Sequence, residues 1–385
     1  MGQPPGKVQR PMNVLSREKR LAVLRGLVNG NSERAVAEMA DVNARTVAKL
    51  AVEFGTGAQR LHDQIARDLT CSDIECDEIW SYVGKKQARV TPDDGPDIGE
   101  AYTFVALDRA SRFVISFHVG KRNQAATDAF MADLRARLAV MPVLSTDGFA
   151  AYPAAVGAEF GPGVDFGVMT KNYHSRGRRD GDHRYAPVRG VDFITKRTVF
   201  GAPEMASVST AHVERNNLTM RHHIGRIRRL CLAFSKRFDR HAHAVSLGYV
   251  WYNVGCVVKG LRMSPAMLVG ATDTLYSIDA FHDAITDLAN VAVEKPQKKA
   301  LVHRTPKATH RALPEGRGFL RVVEGSGSPA PQPGPATPPA APLALVPAVG
   351  AQPGEQLDLL AWRPRVTMSE QMQQLDLFTD RPPGT

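Results

Sequence analysis

Asp73-Ile-Glu-Cys-Asp-Glu-Ile-Trp-Ser-Tyr-Val83 sets four carboxylates into an alternating run that ends in aromatic and β-branched residues. That alternation is the mark of a strand. An acid inside an apolar strand is uncommon, because a buried charge is costly without a partner. Asp73, Glu75 and Asp77 fall on one face and Glu78 on the other, so spacing alone favours none of the first three.

Downstream, Lys85–Gly99 is a polar loop. Ala101–Asp108 and Phe113–Val119 read as two further strands joined by a turn at Arg109–Arg112. Gln124–Leu138 has helical period, with Ala126, Phe130, Leu134 and Leu138 on one face. Val143–Thr146 is a short apolar strand that delivers Asp147-Gly148, Tyr152–Val156 opens a helix, and Val164–Thr170 is a fifth strand. A local hairpin is expected around Val191–Phe200. A long helix follows from Ser209, its apolar stripe running through Val213, Met220, Ile224, Ile227 and Cys231, and a second apolar helix covers about Arg240–Leu261. Three strands, helix, strand, helix, strand, helix is the order of a ribonuclease H-like fold, an α/β mixed sheet with helices on both faces. In such a sheet the first and fourth strands are neighbours, so Asp77 and Asp147 converge and the next helix can bring Glu214 alongside.

Upstream lies an all-α segment. Ser16 is placed to cap a helix through Leu21, Leu24, Leu27 and Val28, Ser32 caps a short helix to Met39, and Asn43 caps a third that Gly55 is expected to end. Two helices around a three-residue turn have the layout of a helix-turn-helix, which sets its last helix in the major groove. Asn43, Arg45, Thr46 and Lys49 would face DNA. The expected organisation is a disordered 1–15, a helix-turn-helix domain and polar linker at 16–70, a catalytic domain at 71–262 with a basic insert at 157–211, a helical or irregular extension at 263–324, and a disordered Pro/Ala-rich tail at 325–385.

The chain has 385 residues, 49 Lys and Arg against 39 Asp and Glu, and a net charge of +10. Between Lys171 and Arg240 there are 16 basic and 6 acidic residues, so this segment carries the whole surplus. That charge suits a polyanion, nucleic acid first. The longest apolar stretch, Ala244–Val258, is 15 residues, below the ~20 that span a bilayer, and no membrane association is expected. Four cysteines without a C-x-x-C pair supply neither a disulfide framework nor a zinc site. His222, His223, His241 and His243 complete no zinc ligand set, and a reducing cytoplasm fits.

Phosphodiester chemistry at neutral pH is served by two Mg²⁺ ions ~3.5–4 Å apart, held by carboxylates on rigid elements. Asp77, Asp147 and Glu214 are suitably placed. Each alone has an ordinary explanation: an Asp before Gly is a turn residue, and a Glu early in a helix complements the dipole. Asn217 and Arg221 extend the Glu214 face of the helix, where they would meet a metal and a phosphate, with Arg228 and Arg229 beyond.

Asp77-Glu-Ile-Trp-Ser-Tyr-Val-Gly84, Leu107-Asp-Arg109, Thr146-Asp-Gly148, Val213-Glu-Arg-Asn-Asn-Leu-Thr-Met-Arg221 and Phe234-Ser-Lys236 resemble blocks of the DDE transposases of bacterial insertion sequence one, over roughly residues 75–255. The resemblance implies a ribonuclease H-like domain with Mg²⁺ or Mn²⁺, DNA cleavage followed by strand transfer, double-stranded DNA (element ends and target) as partner, assembly as a homo-oligomer on DNA, and a bacterial, nucleoid-associated setting. It selects Asp77 over Asp73 and Glu75, carries over Asp147 and Glu214 as catalytic and metal-binding, and makes Arg221 a phosphate contact. The chain departs from the family in lacking a cysteine zinc motif before the helix-turn-helix and in its long insert. A nuclease without strand transfer, or a helix-turn-helix regulator with a decayed catalytic domain, are the alternatives. In the tail, Gln374-Leu375-Asp-Leu377-Phe378 resembles the peptide by which bacterial proteins dock on the polymerase sliding clamp, and Gln356-Leu-Asp-Leu-Leu360 is a near copy.

Overall fold

The computed structural model describes residues 15–173, 191–229 and 231–303. Three helices lead: α1 (Arg17–Val28), α2 (Glu33–Met39) and α3 (Ala44–Ile65). Each begins at the expected cap. Ser16 Oγ accepts from Lys19 N, Ser32 Oγ from Ala35 N, and Asn43 Oδ1 from Arg45 N, which satisfies amides that the helix cannot.

Gly55 does not end α3, which runs on to Ile65 and buries Phe54, Ala58, Leu61, His62 and Asp63. The expected polar linker is therefore half a core helix. Gly55 and Gly57 serve close approach instead. A Cβ at Gly55 would lie 2.5 Å from the His243 Cβ, and one at Gly57 would lie 1.8 Å from the Ile285 carbonyl oxygen.

The sheet follows as β1 (Asp73–Val83), β2 (Gly99–Asp108), β3 (Val114–Gly120), β4 (Val143–Thr146), β5 (Asp165–Tyr173) and β6 (Val191–Phe200). Its order is β3-β2-β1-β4-β5-β6. β1 pairs antiparallel with β2 and parallel with β4, the latter ending at Cys76 opposite Thr146. β6 pairs antiparallel with β5 along its length. Val191–Phe200 is thus one continuous strand rather than the expected local hairpin, because β5 offers it an open edge.

Side-chain alternation splits the two faces. Ile74, Cys76, Phe104 and Ala106 pack toward α4 (Gln124–Arg137) and α5 (Tyr152–Phe160). Ile79, Val105 and Leu107 pack toward α6 (Ala211–His223) and α7 (Phe238–Gly255). The first core also takes Val23, Leu24 and Phe54 from the leading helices and Phe281 and Ile285 from α9 (Ile278–Leu288), which follows the short α8 (Pro265–Leu268).

The expected long helix from Ser209 stops at His223. Gly225 lies against the Gly30 backbone, where a Cβ would sit 2.6 Å from the Gly30 carbonyl oxygen. A single 3₁₀ turn, Gly225–Ile227, follows. Its i, i+3 spacing keeps Ile224 and Ile227 buried with Met220, so the apolar period continues through a break in the helix. Cys231 is exposed rather than the end of that stripe. Among the described residues no helix is long and apolar enough to cross a membrane.

Candidate metal centre

β1 continues past the end of β4. Beyond Thr146 the β4 chain turns away, and Asp147 is left beside β1 at the level of Asp77 and Glu78. One oxygen from each of Asp77, Glu78 and Asp147 lies within 4.8 Å of the others, the one such cluster of three potential metal ligands among the described residues. Strand alternation correctly puts Asp77 on the α6 side and Glu78 on the α5 side. It does not reveal that both reach Asp147 around the open end of β4.

Electrostatics mark the cluster. Burial first, then the Glu78 charge, with Asp147 and Glu214 contributing further, pushes the Asp77 carboxyl up to about 7. Burial and Asp147 raise Glu78. Three carboxylates in a half-buried recess disfavour simultaneous ionisation. Arg122 offsets part of that repulsion: its Nε donates to Glu78 Oε2 at 3.0 Å, and its Nη2 lies 3.5 Å from Asp147 Oδ2. The guanidinium carbon is held over the Phe149 ring, 3.9 Å from its centroid. Asp147 Oδ1 accepts from Phe149 N at 3.0 Å, which fixes the carboxylate at the strand end.

α6 comes down over β1. Asn217 Nδ2 donates to Asp77 Oδ2 at 2.8 Å. Glu214, one turn earlier, receives Lys171 Nζ on both carboxylate oxygens, at 2.6 Å on Oε1 and 2.5 Å on Oε2, and the Thr210 hydroxyl on Oε1 at 2.7 Å. Glu214 therefore stands near enough to act on the Asp77 carboxyl but is held by a lysine of β5. Arg221 is half-buried further along the same helix, its guanidinium pushed below its ordinary pKa by burial first and then by Arg229; its Nε has no hydrogen-bond partner among the described residues.

The competitors on β1 separate. Glu75 is fully buried and saturated: it accepts from the amides of His212 and Val213 at 2.8 and 3.0 Å, from Arg109 Nε at 3.1 Å, and its Oε1 lies 2.9 Å from His212 Nδ1. It caps the start of α6 from the face of β1 beneath it and orients the helix that carries Glu214. Asp73 sits two residues further from the cluster, with Ser72 Oγ donating to its Oδ2.

The oxygen-only donor set, and the buried Asn217 Oδ1 that lacks a partner among the described residues, fit a hard divalent cation. Asp77, Glu78 and Asp147 would hold it. Glu214 could join if Lys171 moved.

Of the residues expected to meet DNA, Asn43, Arg45 and Lys49 are exposed and Thr46 is half-buried. Asn43 spends its side-chain oxygen on the helix cap. Arg228 is exposed, yet its guanidinium donates to the carbonyls of Arg221 and His222 and closes the end of α6; Arg229 is exposed beside it. His241 is a packing residue between the Ser81 and Ser235 hydroxyls, with burial lowering it to about 4. Glu78, Arg122 and Lys171 escaped the sequence reading. Only the adjacency of Glu78 to Asp77 hinted at any of them. Gln374, Leu375, Leu377, Phe378 and the copy at 356–360 lie outside the described residues.

The sequence matches no family model and no curated protein. Among solved structures it aligns with a piggyBac transposase synaptic complex with hairpin DNA, at 9% identity and TM-score 0.36, over 74% of this chain and 74% of that one. It also aligns with a pre-cleavage Mos1 transpososome at 11% identity and TM-score 0.16, over 44% of this chain and 60% of that one. Superpositions this loose do not constrain the chemistry of this chain.

Proposed function

We propose that this chain is a DDE-type DNA transposase with a ribonuclease H-like catalytic domain, related to those of insertion sequence one, that cleaves and joins DNA with divalent metal. The observation that carries the reading is the meeting of Asp77, Glu78 and Asp147 where β4 ends beside the middle of β1, beneath the helix that bears Glu214. Mg²⁺ or Mn²⁺, two ions in the full assembly, would stabilise the charge that develops on a phosphodiester under attack. The protein's own residues do the rest. Asn217 orients Asp77, Phe149 N orients Asp147, and Glu75 fixes α6 so that Glu214 and Arg221 face the cluster. Arg221, half-buried with an unused Nε, is suited to a DNA phosphate. α2 and α3 would act as a helix-turn-helix, with Arg45 and Lys49 in the groove.

The reaction is tested with purified protein, Mn²⁺ and a mini-element flanked by its source DNA. Wild type should yield joined products, and Asp147→Asn, Asp77→Asn and Glu214→Gln should yield none while keeping DNA affinity. Cutting without joining would replace the transposase by a nuclease. Specific binding with neither, at ends shown to be bound, would replace it by a regulator.

The tail peptide Gln374–Phe378 is read as a sliding-clamp ligand, with Leu377 and Phe378 filling an apolar pocket. A clamp pull-down that is weakened by Leu377→Ala with Phe378→Ala supports it, and no capture by wild type removes it.

A further inference from the structure

On the side of α6 turned away from the carboxylates lies a second recess of about 300 Å³, between the β2–β3 turn, α6 and the chain leaving α7. Three permanent cations line it, Arg112, Arg215 and Lys259, and no Asp or Glu does. None of the three forms an ion pair with a described residue. Asn216 is only 4% exposed, and its amide lies within reach of the Tyr252 hydroxyl; Arg112 Nη1 is buried and has no hydrogen-bond partner among the described residues. Of the two histidines on the wall, His212 is turned toward Glu75 and His223 ends α6. Arg112 itself is held at φ 64, a left-handed conformation uncommon for a long side chain, in a turn pinned by Asp108 accepting from Ser111 N and Oγ.

Buried donors without acceptors are costly, and nearly all find partners in folded proteins. Three like charges gathered around one concavity also favour an anion there. A tetrahedral oxyanion answers both at once, since it offers several acceptor oxygens to a guanidinium and an amide. We infer that this pocket binds a phosphate group, with Arg112 and Asn216 at its base and Arg215 and Lys259 at its rim. The group could belong to the DNA backbone or to a free phosphate-bearing molecule. The pocket does not rest on the proposed reaction; only the DNA source does.

The experiment is calorimetric titration of the full chain with inorganic phosphate at constant ionic strength, beside Asn216→Asp, which is near-isosteric and places an acid at the base. Arg215→Gln with Lys259→Gln, both on exposed positions, guards against a folding defect in the first variant. Saturable binding by wild type that weakens at least tenfold in both variants is expected. No saturable binding by wild type, or equal binding by all three, overturns the inference. The salt dependence of duplex DNA affinity then separates the sources. A slope reduced by about 0.9 per lost phosphate contact in the rim variant assigns the pocket to the DNA backbone, and an unchanged slope beside lost phosphate binding assigns it to a free phosphate compound. Asp147→Asn should leave both readouts unaltered, so failure of the cleavage reading would not be mistaken for failure of this one.

Discussion

Asp77 combines burial and three like charges with two donors, the Glu78 backbone amide and Asn217 Nδ2, and its carboxyl sits at about 7 against an ordinary 3.8. Because the fold opposes its ionisation, the folded state holds more protons than the unfolded one between about 4 and about 7. This group's contribution to stability therefore falls as pH rises through that window. Asp77→Asn keeps an acceptor for Asn217 and removes the charge. The metal-free variant should melt at a higher temperature than wild type at pH 8; a lower melting temperature would make Asp77 a structural carboxylate. A cation must displace the Asp77 proton, so Mn²⁺ affinity should strengthen as pH rises from 6 to 8, with proton release visible as a dependence of the binding heat on buffer ionisation enthalpy. Affinity flat across that range would dissociate Asp77 from the metal. At this scale Asp77 and Asp147 were legible as acids at strand positions. Glu78 was not, because face alternation takes no account of where a neighbouring strand stops.

Among the elements, α3 carries the plainest conflict between local and tertiary rules. Gly57 lies in a helix interior, where alanine normally stabilises by ~1 kcal/mol. Here the added Cβ would meet the Ile285 carbonyl oxygen at 1.8 Å, and that oxygen belongs to backbone that cannot rotate away. Gly57→Ala should therefore destabilise, by about 1–3 kcal/mol as overpacking does, measured by urea denaturation; a stabilised variant would show that α9 yields readily. The exposed first turn of α3 is a separate matter. Arg45→Ala with Lys49→Ala should weaken duplex binding severalfold without shifting the melting temperature, read by fluorescence anisotropy, and unaltered affinity would take α3 out of the DNA interface. Strands, caps and helix starts were legible because alternation, 3.6-residue period and Ser or Asn caps are local signals. The ends of α3 and α6 were not: Gly55 was read as a helix stop and the helix was carried on through Gly225, yet the use of both glycines is set by chain remote in sequence.

For the whole molecule, the six strands, the helices on both faces and the packing of the leading helices against α7 and α9 bring distant segments to one place. Glu75 joins β1 to α6 through two amides, Arg109 and His212. Arg137, buried, joins α4 to α3 by pairing with Asp63 at 2.7 Å and Asp133 at 2.8 Å. Arg137→Met should cost about 3–5 kcal/mol, since it leaves buried carboxylates unpaired; a loss under 1 kcal/mol in a denaturation series would mean that water reaches them. Read alone, the amino-acid order determined where most strands and helices lie and which carboxylates stand on strand positions, because backbone hydrogen bonding and side-chain periodicity act over a few residues. Which carboxylates meet, which cations hold them and which glycines are contact points was decided only in the tertiary structure. Asp77 with Asp147, Lys171 with Glu214, Arg122 with Glu78, and Gly57 with Ile285 are separated by 43 to more than 200 residues, and such proximity depends on sheet order and helix packing, to which no local signal refers.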